Sequence, residues 1–261
     1  MITLILNAIF VACLLLGVAV ALGSMSKRST KTLFLLLCGC LMVWAASIQW
    51  FLGATDFQQQ VTAAKIFYFV SALFSPTLFL FAIYFPKEDE ASLRRYLPFV
   101  VAVTAAMLVW ITLSDQFILS SVSTVDGNSM FRVDQFQYAT FTIFFMPFFV
   151  AAMITNIYKF CVYRGVERSQ AIWYTVGIGL TSIRGFYGNL NMPYFGVYEF
   201  IWLGPVAIVF FLITTFYSII RHSLFDIQLV VVRSLAYVLA LITMASIYVG
   251  LAYGASLIFL R

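Results

Sequence analysis

The chain has 261 residues, of which 63% are hydrophobic and only 10% are Asp, Glu, Lys or Arg, with a net charge of +5. A soluble domain keeps about a quarter of its residues charged, so this composition excludes a water-soluble globular fold and makes lipid the fitting solvent. The positive excess follows the pattern of a membrane protein with basic cytoplasmic loops, which leaves no role for nucleic acid as a partner.

A spanning helix needs about 20 mostly apolar residues, and the chain offers such stretches in succession. The first runs from Ile2 to about Ser24 and lacks a basic leader and a small-residue cleavage site, so it reads as a retained helix. A basic turn with Lys27, Arg28 and Lys31 leads to the second, from about Thr32 to Gly53. A polar link over Ala54 to Gln60 precedes the third, from about Val61 to Phe85, with Pro76 as an expected kink. A charged loop from Lys87 to Arg95 precedes the fourth, from about Tyr96 to Ser114.

The segment Asp115 to Gln135 holds two β-prone runs around Asp126-Gly127, which predicts a small β-hairpin between helices four and five. The fifth helix is expected from about Phe136 to Tyr158, with Pro147 inside, followed by a basic loop with Lys159, Arg164 and Arg168. The sixth is expected from about Gln170 to Asn189, then a short link around Asn191, Pro193 and Gly196, then the seventh from about Tyr198 to Ile220. A further apolar stretch covers about Ser234 to Leu260.

Alternate connections divide the charges. One set holds Lys27, Arg28, Lys31, Lys87, Arg94, Arg95, Lys159, Arg164, Arg168, Arg221 and Arg233; the other holds little beyond Lys65, Arg132 and Arg261. The asymmetry places the first set in the cytoplasm, and the N-terminus and the hairpin outside. The expected fold is therefore all-α and integral to the membrane: a seven-helix bundle plus one further hydrophobic helix. Seven helices from an outside start end in the cytoplasm, and the eighth apolar stretch stops at Arg261, so the chain reads as a fragment of a longer protein.

The sequence carries no metal-ligand cluster, nucleophilic triad or phosphate-binding glycine loop, so neither metal nor cofactor is expected. The four cysteines, Cys13, Cys38, Cys40 and Cys161, lie in or beside apolar spans and read as small packing residues. His222, the single histidine, reads as an interfacial residue at a helix end. Asn156, near the inner end of the fifth helix, reads as a hydrogen-bonding contact between helices.

Arg184 stands out, because ionisable groups within a span mark functional sites. It lies about 14 residues into the expected sixth helix, roughly 21 Å from its cytoplasmic end, and Glu199 opens the next helix on the same side. Snorkelling of Arg184 with a structural Arg184–Glu199 pair is the plainer reading. The sharper one is a ligand site formed by Arg184, Tyr187, Asn189, Tyr198, Glu199 and Trp202, with Trp50 at the same end of the second helix. The alternative for the aromatic members is a headgroup-level belt. Ser246, Gly250 and Gly254 recur every four residues, a spacing that lets two helices approach closely.

From the sixth helix onward the sequence reads Asn189-Leu-Asn-Met-Pro193, then Gly204-Pro205, then Tyr217-Ser-Ile-Ile-Arg221-His222-Ser-Leu224-Phe225-Asp226-Ile227. This resembles the seven-helix N-terminal input region of bacterial membrane sensor histidine kinases, in which a Tyr-Ala-Ile-x-(Arg/Lys)-x-x-Leu-Phe-Asp-Ile signature closes the seventh helix; Ser218 replaces the usual Ala. The resemblance implies a sensor region over 1–227 and a linker with an additional helix over 228–261. It also implies a bacterial inner-membrane location, a small lipophilic or peptide signal, a second copy of the chain as partner, and a cytoplasmic kinase or other output domain outside these residues. Tyr217, Arg221, Leu224, Phe225 and Asp226 are then the expected signal-transmission segment. A small transporter or channel, or a membrane scaffold without ligand, are the competing readings. Transport usually needs a polar path near the midplane, and the spans here are apolar apart from Arg184 and a few Ser, Thr and Asn residues.

Overall fold

The computed structural model describes residues 2–22, 28–87, 90–115, 117–125 and 128–195, together with 203, 204, 206, 207, 210, 211 and 214. Six long helices account for most of them: α1 (Ile2–Leu22), α2 (Arg28–Gly53), α3 (Phe57–Tyr84), α4 (Glu90–Leu113), α5 (Gln135–Val162) and α6 (Gly165–Gly185). Among the described residues, four stretches are long and apolar enough to cross a membrane: Ser29–Gly53, Phe57–Tyr84, Arg94–Leu113 and Gln135–Val162. In hydrocarbon every backbone N–H and C=O must be satisfied within its own segment, which makes helices the form these apolar runs adopt.

The helices begin earlier than apolar runs alone suggest. α3 starts at Phe57, four residues before the expected Val61, because Asp56 caps it by accepting from the Gln59 N–H at 3.2 Å. The Gln60 side chain then donates to the Ala54 carbonyl at 2.9 Å, so much of the expected link Ala54 to Gln60 is capped helix. Arg28 and Lys31 lie in the first turn of α2, Arg94 and Arg95 in α4, Lys159 in the last turn of α5, and Arg168 in the first turn of α6. The basic connections are thus short, and most of their charge sits on helix ends. At 28 residues α3 is about 42 Å long, more than the roughly 30 Å hydrocarbon layer, so its polar end turns can lie at headgroup depth.

α3 is the centre of the assembly, packing against α2, α4 and α5, while α1 packs on α2 and α6 on α5. Two apolar clusters fill the interior. One contains Cys13, Phe34, Phe81, Tyr174 and Phe211; the other contains Ile48, Tyr68, Phe117, Phe141 and Phe148. The outer faces of α4 and α5 expose Phe99, Val109, Ile143 and Ile154, an apolar surface that water would not tolerate over such an area and lipid does.

Between α4 and α5 lie two antiparallel strands, β1 (Leu119–Val125) and β2 (Asn128–Val133), in register with Val122 opposite Phe131 and Val125 opposite Asn128. The turn residues Asp126 and Gly127 lie outside the described residues. The base of the pair is fastened to α5: Asp134 caps the helix by accepting from the Gln137 N–H at 3.0 Å, and its own N–H donates to the Ile118 carbonyl at 2.8 Å. Gln137 Oε1 accepts from the Ile118 N–H at 2.7 Å. Ile118 is held at φ +69°, a left-handed conformation that costs a β-branched residue of order 1–3 kcal/mol.

α6 ends at Gly185, short of the expected Asn189, and passes into a π-helical segment, Phe186–Asn191, and a helical turn, Met192–Tyr194. The expected link around Asn191 and Pro193 is therefore helical in part. Asn156 does not join two helices through its amide nitrogen: Nδ2 donates to the Ala152 carbonyl of its own helix at 3.0 Å. The nitrogen is satisfied locally, as short polar side chains in helices often are, while Oδ1 is buried with no hydrogen-bond partner among the described residues.

Candidate functional site

Tyr187, one of the expected site residues, lies at the end of the bundle that carries the strand pair. There, α5 and the π-helical segment face each other across an open groove lined by Tyr138 and Thr142 on one side and by Phe186, Tyr187, Asn191 and Tyr194 on the other. Tyr138 and Tyr194 approach with ring centroids 5.9 Å apart. The π-helical turn has a consequence here. An extra residue per turn shifts the side chains that follow relative to a regular helix, and such turns recur at functional sites. The groove joins aromatic faces to a few polar tips, the composition that holds an apolar body and orients it by one or two anchors.

A family model described as the N-terminal 7TM region of histidine kinase matches residues 5–228. The chain belongs to this family. Searches of curated proteins and of solved structures return no match. Membership makes the chain a multi-pass membrane region and the input part of a histidine kinase, a part that is not itself catalytic.

Within this input region, Tyr187 is 50% exposed and lines the groove. Arg184 is the penultimate residue of α6, one turn before Tyr187, and Asn189 lies in the π-helical segment; the side chains of both lie outside the described residues. Tyr198, Glu199 and Trp202 lie outside them altogether, as do Tyr217, Arg221, Leu224, Phe225 and Asp226 of the transmission segment, and Ser246, Gly250 and Gly254. Trp50 is 43% exposed at the end of α2 and lines neither groove nor cavity. Trp44, six residues earlier, faces the interior instead. Six residues on a helix turn the side chain through about 240°, so one apolar span presents the two indoles to opposite surroundings.

Trp44 borders an interior cavity of about 100 Å³ that the sequence reading did not anticipate. Its walls come from α2, α3, α5, α6 and Phe211, and draw on both apolar clusters. On α5, Phe141, Phe145 and Phe149 recur every fourth residue and form one wall, their rings in contact at 5.8 and 6.0 Å. The row continues to Phe186, edge-on to Phe149 at 5.1 Å. Phe186 borders the cavity and also the outer groove, so its side chain belongs to both walls.

α6 also makes a close contact that sequence reading missed. A Cβ at Gly177 would overlap Thr214 Oγ1 and lie 3.1 Å from Thr214 Cβ and 3.4 Å from the Phe211 Cα. One turn further, Thr181 Oγ1 donates to the Ala207 carbonyl at 2.9 Å. Ala207, Phe211 and Thr214 are thereby fastened to α6, the helix that ends at the groove.

Proposed function

We propose that this region receives an apolar or amphipathic signal from outside and passes its binding on as a helix rearrangement to a cytoplasmic output domain. The groove between α5 and the π-helical segment is the observation that carries this reading, with Tyr187 lining it and Arg184 one turn away. In this reading the seven helices run with the N-terminus outside and the strand pair forms a small extracellular hairpin over the groove. Arg184 anchors a carbonyl or carboxylate of the signal. An intramembrane arginine is costly without an acceptor, and a carboxylate at the start of a helix, as Glu199 is in the expected seventh, is drawn to that helix's free N–H groups. Asn189, Tyr198 and Trp202 complete the site.

Binding favours one of two arrangements of α6 against the segment that carries Ala207, Phe211 and Thr214. Tyr217, Arg221, Leu224, Phe225 and Asp226 carry that bias to the kinase, in a homodimer that packs in part through Ser246, Gly250 and Gly254. The test is signal-dependent autophosphorylation of the full-length kinase with Arg184→Ala and Arg184→Lys. Loss of response in both, at normal expression, supports the anchor, since an ammonium does not reproduce a bidentate guanidinium fork. Full response in Arg184→Ala removes Arg184 from the site.

A further inference from the structure

We infer that the interior cavity is a second binding site, for a compact apolar molecule carrying one hydrogen-bond acceptor, which Trp44 recognises through its indole N–H. Three observations meet there. The cavity is walled mainly by Phe and Leu side chains from four helices, and an apolar cavity of this kind stays dry and takes up small apolar molecules. At about 100 Å³ it suits a guest of roughly four or five heavy atoms, by the scale on which a 150 Å³ cavity holds benzene.

The Ser and Thr hydroxyls on its wall have spent their protons on backbone carbonyls: Ser71 on Phe67 at 2.9 Å, Thr181 on Ala207 at 2.9 Å, and Ser182 on Ile178. Trp44 differs. Its Nε1 is buried and has no hydrogen-bond partner among the described residues, while its ring is held by stacking on Phe67 at 6.2 Å and 14°. An indole nitrogen is a donor only, and a buried donor without a partner carries a penalty that an acceptor removes. A hydrocarbon guest, including the end of a lipid chain, fills the space and leaves the penalty in place. A ketone, ester or ether of the same size removes it. The site is separate from the outer groove, and the inference stands whether or not the groove binds the signal.

The test uses the whole chain in lipid nanodiscs with ¹⁵N-labelled tryptophan, read by the indole resonances. The probes are butanone and 2-methylbutane, matched in size and compared at equal mole fraction in the lipid. A saturable shift of the Trp44 indole is expected with butanone, at an affinity about tenfold above that of 2-methylbutane, the factor that one net hydrogen bond supplies. In Trp44→Phe, the two probes should bind alike, followed by their own resonances. Ser71→Leu, which fills the cavity and keeps Trp44, should abolish saturable binding of both. Equal affinity of the two probes for the unaltered chain, or no saturable shift at Trp44, overturns the inference.

Discussion

Lys159 Nζ, in the last turn of α5, donates to the Ile83 carbonyl at 2.6 Å, and to that of Phe85 at 2.8 Å. The lysine is buried and caps the C-terminal end of α3, where carbonyls lack helical partners and the helix dipole is negative. The same device recurs twice. Lys65 on α3 donates to Thr112 and Ser114 at the end of α4, at 3.2 and 2.7 Å, and Lys31 on α2 donates to Ala21 near the end of α1 at 2.6 Å. Three lysines that count as topology signals in the sequence therefore also bolt neighbouring helices together.

Replacing Lys159 with Met keeps the length of the side chain and removes the donor. The expected cost is about 1.5–3 kcal/mol for hydrogen bonds to a charged group, seen as a lower midpoint of thermal unfolding in detergent. Lys87→Met, at an exposed position, should leave the midpoint within experimental error. A midpoint for Lys159→Met equal to that of the unaltered chain would remove the cap from the account.

Gln137→Ala should loosen the base of the strand pair. It leaves the N–H of buried Ile118 without its acceptor, at a cost of about 1–3 kcal/mol. Faster amide exchange in 119–133, with α2 and α3 unchanged, is the expected result. Unchanged exchange in the strands would show that the Asp134–Ile118 bond alone holds them.

Gly177→Ala should destabilise the contact of α6 with Phe211 and Thr214. The added methyl overlaps Thr214, and overpacking typically costs 1–3 kcal/mol. Gly39→Ala is the control: nothing lies within 4 Å of a Cβ there, and alanine is the better helix former. Equal stability of the two variants would mean that α6 and its neighbour separate without cost.

The spans are legible in the sequence because twenty apolar residues have few alternatives in lipid, whatever their order. Their ends are less so, since Asp56 and Asp134 extend α3 and α5 through side-chain caps that an apolar count does not register. The lysine caps are invisible at that level: Lys159 and Ile83 are 76 residues apart, and only the packing of α3 on α5 brings them together. The choice between Trp44 and Trp50 is also tertiary. Helix periodicity separates them but does not say which side meets the bundle. Arg184 and Tyr187 read differently: a charge within an expected span and an aromatic residue one turn later suggest a site from chemistry alone; Tyr187 lines the groove, and the Arg184 side chain lies outside the described residues.

The orientation of the bundle decides whether the groove is open to an outside signal and the basic end to a cytoplasmic kinase, and cysteine labelling measures it most directly. In a Cys161→Ser background, which removes the exposed native thiol, single cysteines replace Ser29 or Ser123 and intact cells meet an impermeant maleimide. Ser123→Cys should label in intact cells, and Ser29→Cys only after the membrane is opened. Labelling of Ser29→Cys in intact cells with Ser123→Cys protected, or labelling of both from one side, would contradict the account.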